Sequence, residues 1–297
     1  MTATAMKFLV VGVLFISIPT LVFTQSTTGN TQSDKPKIYL VGSVHSMHFN
    51  PALHYGLNDL LEQVIQLHPD VVCGEITPEA FRQDMEGYFP LEASFLAEMA
   101  KRANYRFIPV DWRIDASTQA LAESIFPKDI EKVQSDITNN YIDSIQKFSG
   151  VSLYDFMHAP VNVGIMDSLF EKVVASNPVS EIAMGNWHER NRRIVENSLP
   201  YLKSGKVVVF VFGSAHLPQI KRQLEALGYE AEIPERLFTP AAETRVSKQV
   251  IDRWQKNLAQ LISIREGKIT GSYDNYLKVT RSERINELQE TLKLLAH

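Results

Sequence analysis

The sequence lacks the features that would suggest a disulfide-stabilised or nucleic-acid-binding protein. Its 297 residues include one cysteine, Cys73, so no intramolecular disulfide can form and the fold must depend on its hydrophobic core. Cys73 lies in an apolar segment, as expected of a buried small hydrophobic residue. The formal net charge of −4 provides no basic surface for nucleic acid, and we predict no nucleic-acid partner.

Three common catalytic signatures are also absent. The chain has no Gly-x-Ser-x-Gly elbow, no phosphate-binding P-loop and no His-Glu-x-x-His helix. These absences argue against a serine hydrolase with a nucleophile elbow, a P-loop nucleotide-binding protein and a zinc protease of the His-Glu-x-x-His type.

One apolar run is present at the N-terminus. Lys7 precedes an uncharged segment at 8–23, and a polar stretch follows it. This order is typical of a secretory signal peptide, and the run is short for a spanning helix, which needs ~20 apolar residues. We predict a signal peptide at 1–25, a linker at 26–36 and an exported, periplasmic or extracellular protein. The alternative is an uncleaved segment that associates with a membrane through residues 8–23.

Apolar segments predicted to be strands alternate with amphipathic segments predicted to be helices in the first half of the chain. One helix joins the first two strands, so they form a βαβ unit with parallel strands, and we expect these strands to be neighbours. The predicted strands are 38–42, 71–75 and 106–110, and the predicted helices are 52–67 and 91–103.

The second half contains a long helical stretch and a further set of strands and helices. We predict one α/β domain over 37–297, with a central, mostly parallel sheet built from two related β-α halves. A helical insertion at 117–180 would form a lid or wall over the site. The later predicted elements are helices at 186–203 and 217–227, strands at 206–212 and 229–233, and C-terminal helices near 244–265 and 281–295.

A repeated motif at two strand ends is the strongest indication of a functional site. Gly42–His45 reads Gly-Ser-Val-His and Gly213–His216 reads Gly-Ser-Ala-His, each directly after an apolar segment. Ligands of open α/β sheets bind outside the carboxyl ends of the strands. We therefore predict that His45 and His216 share one site, the alternative being two hydrogen-bonded residues at the rim of the sheet.

Glu75 ends the second predicted strand and would lie at the same edge. His45, Glu75 and His216 are suitable ligands for a divalent transition metal ion such as Mn, Fe, Co or Zn, which would activate a bound water. Without a metal, a histidine could take a proton from water while Glu75 orients the imidazolium. The alternative role of Glu75 is structural, at the start of the helix that Thr77 and Pro78 predict.

Two further residues are candidates for the site. Asp111 follows the third strand and would either fix a histidine tautomer or pair with Arg113. Arg190 opens a helix in the second half, where it would hold a substrate carboxylate or stabilise an oxyanion, or else be part of a solvated helix start. Other histidines are weaker candidates: His48 as an extra ligand, His158 and His188 only if the helical insertion covers the sheet, and His54 and His68 as structural residues.

The order of these motifs resembles the TraB/PrgY–GumN–Tiki family, within a wider superfamily that includes erythromycin esterases and haem-binding ChaN lipoproteins. The resemblance covers about residues 37–235. Trp112 separates an Asp-Arg pair that is usually tighter. The resembling elements are Gly42–His45, Glu75 with Arg82, Asp111 with Arg113, Glu189–Asn191 and Gly213–His216.

The resemblance implies a hydrolase, because Tiki members are metal-dependent proteases and erythromycin esterases use His and Glu. It implies a site of His45, Glu75 and His216, with Arg190 near the substrate. We predict an exported, metal-dependent hydrolase that cleaves an amide or ester bond, with a peptide or other small molecule as substrate. The alternatives are a peptide- or haem-binding protein without turnover and a degenerate interaction protein.

Overall fold

The computed structural model describes residues 35–82, 89–174, 177–241, 244–268 and 274–295. The predicted signal peptide lies outside these residues, as does most of the predicted linker. Among the described helices, none combines the length and apolar character needed to cross a bilayer.

Five parallel strands form the central sheet, which confirms the predicted α/β fold. Their order across the sheet is β3-β2-β4-β1-β5. The strands are β1 (Lys37–Ser43), β2 (Val71–Gly74), β3 (Arg106–Pro109), β4 (Val207–Gly213) and β5 (Ala231–Glu232).

The expectation that β1 and β2 are neighbours is wrong, because β4 lies between them. β4 pairs with β1 from Lys37↔Val207 to Ser43↔Gly213, and on its other side it pairs with β2. The helix that follows β1 therefore crosses over the position that β4 occupies. As a result, the carboxyl ends of β2, β4 and β1 are consecutive, and these ends carry Glu75, His216 and His45.

Helices surround the sheet and account for the predicted insertion and tail. The described helices are α1 (Leu57–Gln66), α2 (Pro78–Arg82), α3 (Leu91–Met99), α4 (Ala116–Ser124), α5 (Lys128–Gln146), α6 (Leu153–His158), α7 (Pro160–Val174), α8 (Pro178–Ala183), α9 (Trp187–Ser198), α10 (Leu217–Ala226), α11 (Lys248–Arg265) and α12 (Asp274–Leu294). Within the described residues, α4 to α8 make up the helical insertion, as predicted.

Several predicted boundaries were wrong. α1 begins at Leu57 because a 3-10 turn at Pro51–Leu53 and a positive φ at His54 precede it. β5 is shorter than 229–233, since the Tyr229 N–H donates to a carbonyl at the end of α10 rather than to the sheet. α3 ends at Met99, and the last helix begins at Asp274 rather than near 281.

The sheet separates two apolar layers, and β4 contributes to both because its side chains alternate between faces. Val209 and Val211 pack in the layer that includes Leu57, Phe95 and Trp254. The opposite face of the sheet packs on α9 and α10. That second layer includes Ile38, Leu40, Cys73, Val208, Phe210, Phe212, Ile194 and Ile220.

Candidate active site

A cleft of about 340 Å³ lies at the carboxyl ends of β1, β2 and β4. His45, Glu75, Arg113, Arg190 and His216 all line it, so the fold brings together the predicted histidines, the predicted glutamate and the predicted arginine. The volume is near the lower limit of the ~300–1,000 Å³ that small-molecule sites usually have.

Side chains help to fix the backbone at the end of β1 and in the turn that follows it. The Gly42 N–H donates to His158 Nε2 at 2.8 Å, and the Tyr55 hydroxyl donates to the Gly42 carbonyl at 2.7 Å. The Val44 N–H donates to His48 Nε2 at 3.2 Å. Since the Nε2 lone pairs of His48 and His158 accept these backbone hydrogens, neither histidine can be a metal ligand here.

His45 is held over the site by a buried carboxylate. Its Nδ1 lies 2.7 Å from Glu92 Oε1, which also accepts a hydrogen bond from the Ser43 hydroxyl. His45 has φ = 50°, an uncommon backbone conformation for a residue with a side chain, and 44% of its side chain is exposed. With Nδ1 engaged, Nε2 is the ring nitrogen that remains for chemistry.

Gly213 allows His45 to approach the end of β4. A Cβ atom on Gly213 would lie 2.8 Å from His45 Nε2 and 3.6 Å from Glu75 Oε2. The imidazole therefore occupies the space that any other residue at 213 would fill, close to the Glu75 carboxylate.

Glu75 lies at the centre of the cleft and is almost fully buried. Its Oε2 accepts the Gly213 N–H at 2.8 Å, and its Oε1 accepts from Arg190 at 2.8 Å and from Arg113 at 3.2 Å. This environment contradicts the alternative in which Glu75 serves the next helix. That helix, α2, is capped by Thr77, whose Oγ1 accepts the Ala80 N–H.

Asp111 pairs with the same two arginines. Arg190 donates from Nε to Oδ1 at 2.9 Å and from Nη2 to Oδ2 at 3.0 Å, and Arg113 Nε donates to Oδ2 at 2.8 Å. The predicted pairing with Arg113 is therefore present, and no hydrogen bond joins Asp111 to a histidine in the described part of the chain. Arg190 is buried rather than solvated, and its Nη1 donates to none of the described residues.

His216 is buried at the end of β4, beneath an aromatic cover. Its Nδ1 lies 2.7 Å from Asn191 Oδ1. Because an amide oxygen only accepts, Nδ1 carries the hydrogen and Nε2 carries the lone pair. Nε2 lies 4.0 Å from Glu75 Oε1, and the Trp187 ring packs on the imidazole with a centroid distance of 4.4 Å.

The two histidines have pKa values shifted in opposite directions. Burial lowers the pKa of His45, but the charge and hydrogen bond of Glu92, with Glu75, outweigh it and raise the pKa to about 9. Burial and the neighbouring Arg190 guanidinium hold the pKa of His216 well below its usual value. His45 is thus an imidazolium at neutral pH, whereas His216 is a neutral base.

The carboxylates remain ionised although they are buried. Burial raises the pKa of Glu75, but Arg190, the two histidines and Arg113 outweigh it and hold the pKa below the usual value. The pKa of Glu92 falls to about 2, because His45 outweighs the effect of burial. Arg113 and Arg190 likewise hold the pKa of Asp111 down against burial.

Among the described residues, the group best placed to hold a metal ion is His45, Glu75 and Glu92, whose ligand atoms lie within 4.8 Å of one another. Sequence reasoning missed Glu92 and expected His216 as the third ligand. The Oε2 atom of Glu92 is buried and accepts no hydrogen bond from any of the described residues. The only signal in the sequence is a charged residue within the otherwise apolar start of α3.

The remaining candidates lie outside the cleft. His188 is partly exposed and bonds to Glu181 and Glu171. Arg82 pairs with Glu79 at the exposed end of α2. Neither residue lines the described cleft.

Comparison of the chain with protein-family models, with curated proteins and with solved structures gave no significant match. The resemblance to the TraB/PrgY–GumN–Tiki family therefore remains a prediction that depends on the motifs alone.

Proposed function

We propose that the protein is an exported hydrolase that uses water to cleave an ester or amide bond, with a peptide as the first candidate substrate. One observation carries the proposal. Two imidazoles from neighbouring strand ends each have Nδ1 held by an oxygen, and both lie beside the buried Glu75 carboxylate. Pairs of titratable groups whose environments separate their pKa values are typical of acid–base catalysis.

Each residue has a distinct role in this proposal. His216, neutral and with its lone pair on Nε2, accepts a proton from the attacking water. The His45 imidazolium and the Nη1 atom of Arg190 stabilise the negative charge that develops on the carbonyl oxygen. The water oxygen forms the new bond to carbon, the bond to the alcohol or amine breaks, and the leaving group takes up the proton that His216 holds.

The donor set also fits a divalent transition metal ion, which Glu75, Glu92 and His45 would hold, with His45 then deprotonated at Nε2. The unpartnered Oε2 atom of Glu92 supports this fit. Such an ion would polarise the substrate carbonyl and lower the pKa of a bound water. His216 lies outside this ligand group and would act as the base with or without the ion.

Turnover of esters and peptides by the purified full chain tests the proposal. The assays compare untreated protein, protein treated with a chelator, and chelated protein resupplied with Mn, Fe, Co or Zn. Glu75→Gln tests the central carboxylate and should lower turnover by about 100-fold or more. His188→Ala is the matched control, since it removes a partly exposed histidine outside the cleft.

Three outcomes are informative. Loss of turnover on chelation and recovery with one metal supports the metal-dependent form, while turnover that resists chelation supports acid–base catalysis by the histidines alone. Absence of turnover in every condition, with tight binding of a peptide or a Soret band on haem titration, contradicts the hydrolase and favours a binding protein.

A further inference from the structure

The cleft has two unlike sides. The charged groups lie at the strand ends. The facing side, here called the apolar wall, comes from the helical insertion and the start of α9 and carries no charge. Its members are Tyr141, Ile145, Met157, Met166, Phe170 and Trp187.

The apolar wall is continuous with the candidate base. Phe170 stacks on Trp187 with ring centroids 3.9 Å apart, and Trp187 packs in turn on His216 at 4.4 Å. A group bound against these rings would therefore lie next to the bond that His216 helps to hydrolyse. Met166 and Phe170 are only partly buried, so this surface is accessible from the cleft.

Two polar atoms of the wall have no hydrogen-bond partner in the described part of the chain. Trp187 Nε1 and the Tyr141 hydroxyl are buried, and neither hydrogen-bonds to a described residue. Buried polar groups are usually paired, so these two donors are consistent with a peptide ligand whose main-chain carbonyl oxygens accept hydrogen bonds beside the bound side chain. Methionine side chains adapt to ligands of different shape, which suits a subsite for apolar groups in general.

We propose that the apolar wall is the specificity subsite of the proposed hydrolase and takes an uncharged, apolar side chain next to the scissile carbonyl, such as that of leucine, methionine or phenylalanine. This inference rests on the proposed function. The wall offers no counter-charge to an acidic or basic side chain, and such a chain would lose its hydration there.

Turnover gives the first test. The full chain is assayed on N-acetyl amino acid p-nitroanilides and p-nitrophenyl esters that differ only in the side chain: Leu, Phe, Asp or Lys. We expect kcat/KM to be roughly 100-fold higher for Leu and Phe than for Asp and Lys, a typical scale for discrimination by a pocket. Met166→Lys should raise the Asp:Leu ratio at least tenfold, by supplying a counter-charge in the wall.

Ile165→Lys is the matched control, because Ile165 is the adjacent, exposed residue on α7 and does not line this cleft. It should leave the substrate preference unchanged. Equal kcat/KM for all four side chains, or the same change in preference with both lysine variants, contradicts the subsite.

Binding gives a second test that does not depend on turnover. In protein labelled with ¹³C-methyl methionine, the Met157 and Met166 signals should shift on titration with N-acetyl-leucinamide and remain unchanged with N-acetyl-aspartamide. If these shifts occur without turnover, the hydrolase is wrong and the subsite stands. Absence of shifts with the leucine probe, or equal shifts with both probes, overturns the subsite even if the enzyme is active.

Discussion

The turns after β1 and β4 share the Gly-Ser-x-His motif but give their histidines different properties. His45 is half-exposed, contacts a carboxylate and is protonated at neutral pH, whereas His216 is buried, contacts an amide oxygen and is neutral. The sheet register accounts for part of this difference. Ser43 pairs with Gly213, so the two motifs are offset by one residue along the paired strands and the two chains leave the sheet at different motif positions.

The two turns also leave the sheet in different ways. β4 continues through a short 3-10 turn into α10, whereas the chain after β1 takes a positive φ at His45 and needs Tyr55, His48 and His158 to fix its backbone. Two copies of a motif therefore need not have equivalent roles. The surrounding elements leave one histidine protonated and the other neutral at the same pH.

The largest expected effect is on turnover, and it is unequal for the two histidines. His216→Gln should lower kcat by about 10³-fold, since a general base contributes ~10²–10⁴-fold. His45→Gln should lower kcat by about 10²-fold, the scale of one oxyanion-stabilising donor. It should also abolish the loss of activity near pH 9 that the His45 pKa predicts for the wild type. Full pH profiles of kcat measure both effects, and identical losses with identical profiles would show that the histidines act as a symmetric pair.

The second prediction concerns acid stability, which should depend on the turn after β1. Burial outweighs the hydrogen bond to Tyr154 and lowers the pKa of His158 from 6.5 to about 4. The unfolded state then binds the proton more readily, so stability is lost as the pH falls from 6.5 towards 4. The loss is about 3 kcal/mol at full effect, at ~1.4 kcal/mol per pKa unit.

Urea unfolding of wild type and His158→Gln between pH 4 and 7.5 measures this loss. Gln retains an acceptor for the Gly42 N–H but does not titrate, so the variant should lose less stability than the wild type over this range. His48, whose pKa burial also lowers to about 4, should account for the remaining acid sensitivity. Equal pH slopes in the two proteins would contradict the assignment of His158 as a buried neutral anchor.

The third prediction compares the two motif glycines. Gly42→Ala places a Cβ 3.1–3.2 Å from Ser214, His158 and Leu217, so it should lower the unfolding free energy by about 1–3 kcal/mol, as overpacking of a core does. Gly213→Ala instead collides with the half-exposed His45 ring, which can move. It should cost little stability and lower turnover about as much as His45→Gln. Urea unfolding and steady-state kinetics of both variants measure this, and a reversed order of effects would contradict the arrangement.

The smallest effect is on alkaline stability. The His45 pKa is raised from 6.5 to about 9, so its contribution to stability is complete below pH 6.5 and is lost as the pH rises through 9. Because the side chain is partly exposed, we expect a loss of only about 1 kcal/mol. Glu92→Gln should remove this slope and lower the His45 pKa by more than one unit, which NMR titration of the imidazole measures. A His45 pKa that stays near 9 in the variant would show that Glu92 is not its cause.

The sequence alone was sufficient to predict the α/β class, the helical insertion and four of the charged or titratable residues that line the cleft, namely His45, Glu75, Arg190 and His216. These predictions depend on local signals, namely apolar periodicity and polar residues placed directly after apolar strands. The carboxyl ends of the strands in a parallel sheet lie at the same edge whatever the strand order. His45, Glu75 and His216 could therefore be grouped before the order was known.

The tertiary structure decided which strands are neighbours and which side chains complete the site. It also decided whether each histidine is protonated at neutral pH. The insertion of β4 between β1 and β2, the approach of Glu92 from α3 and the contact of Asn191 with His216 all join residues that are far apart in the chain. Local patterns carry no information on such pairings, because the strand order and the packing of helices depend on how the whole core is filled. Burial and the neighbouring charges then set the two pKa values, so a repeated motif in the sequence gives one charged and one neutral imidazole only in the folded protein.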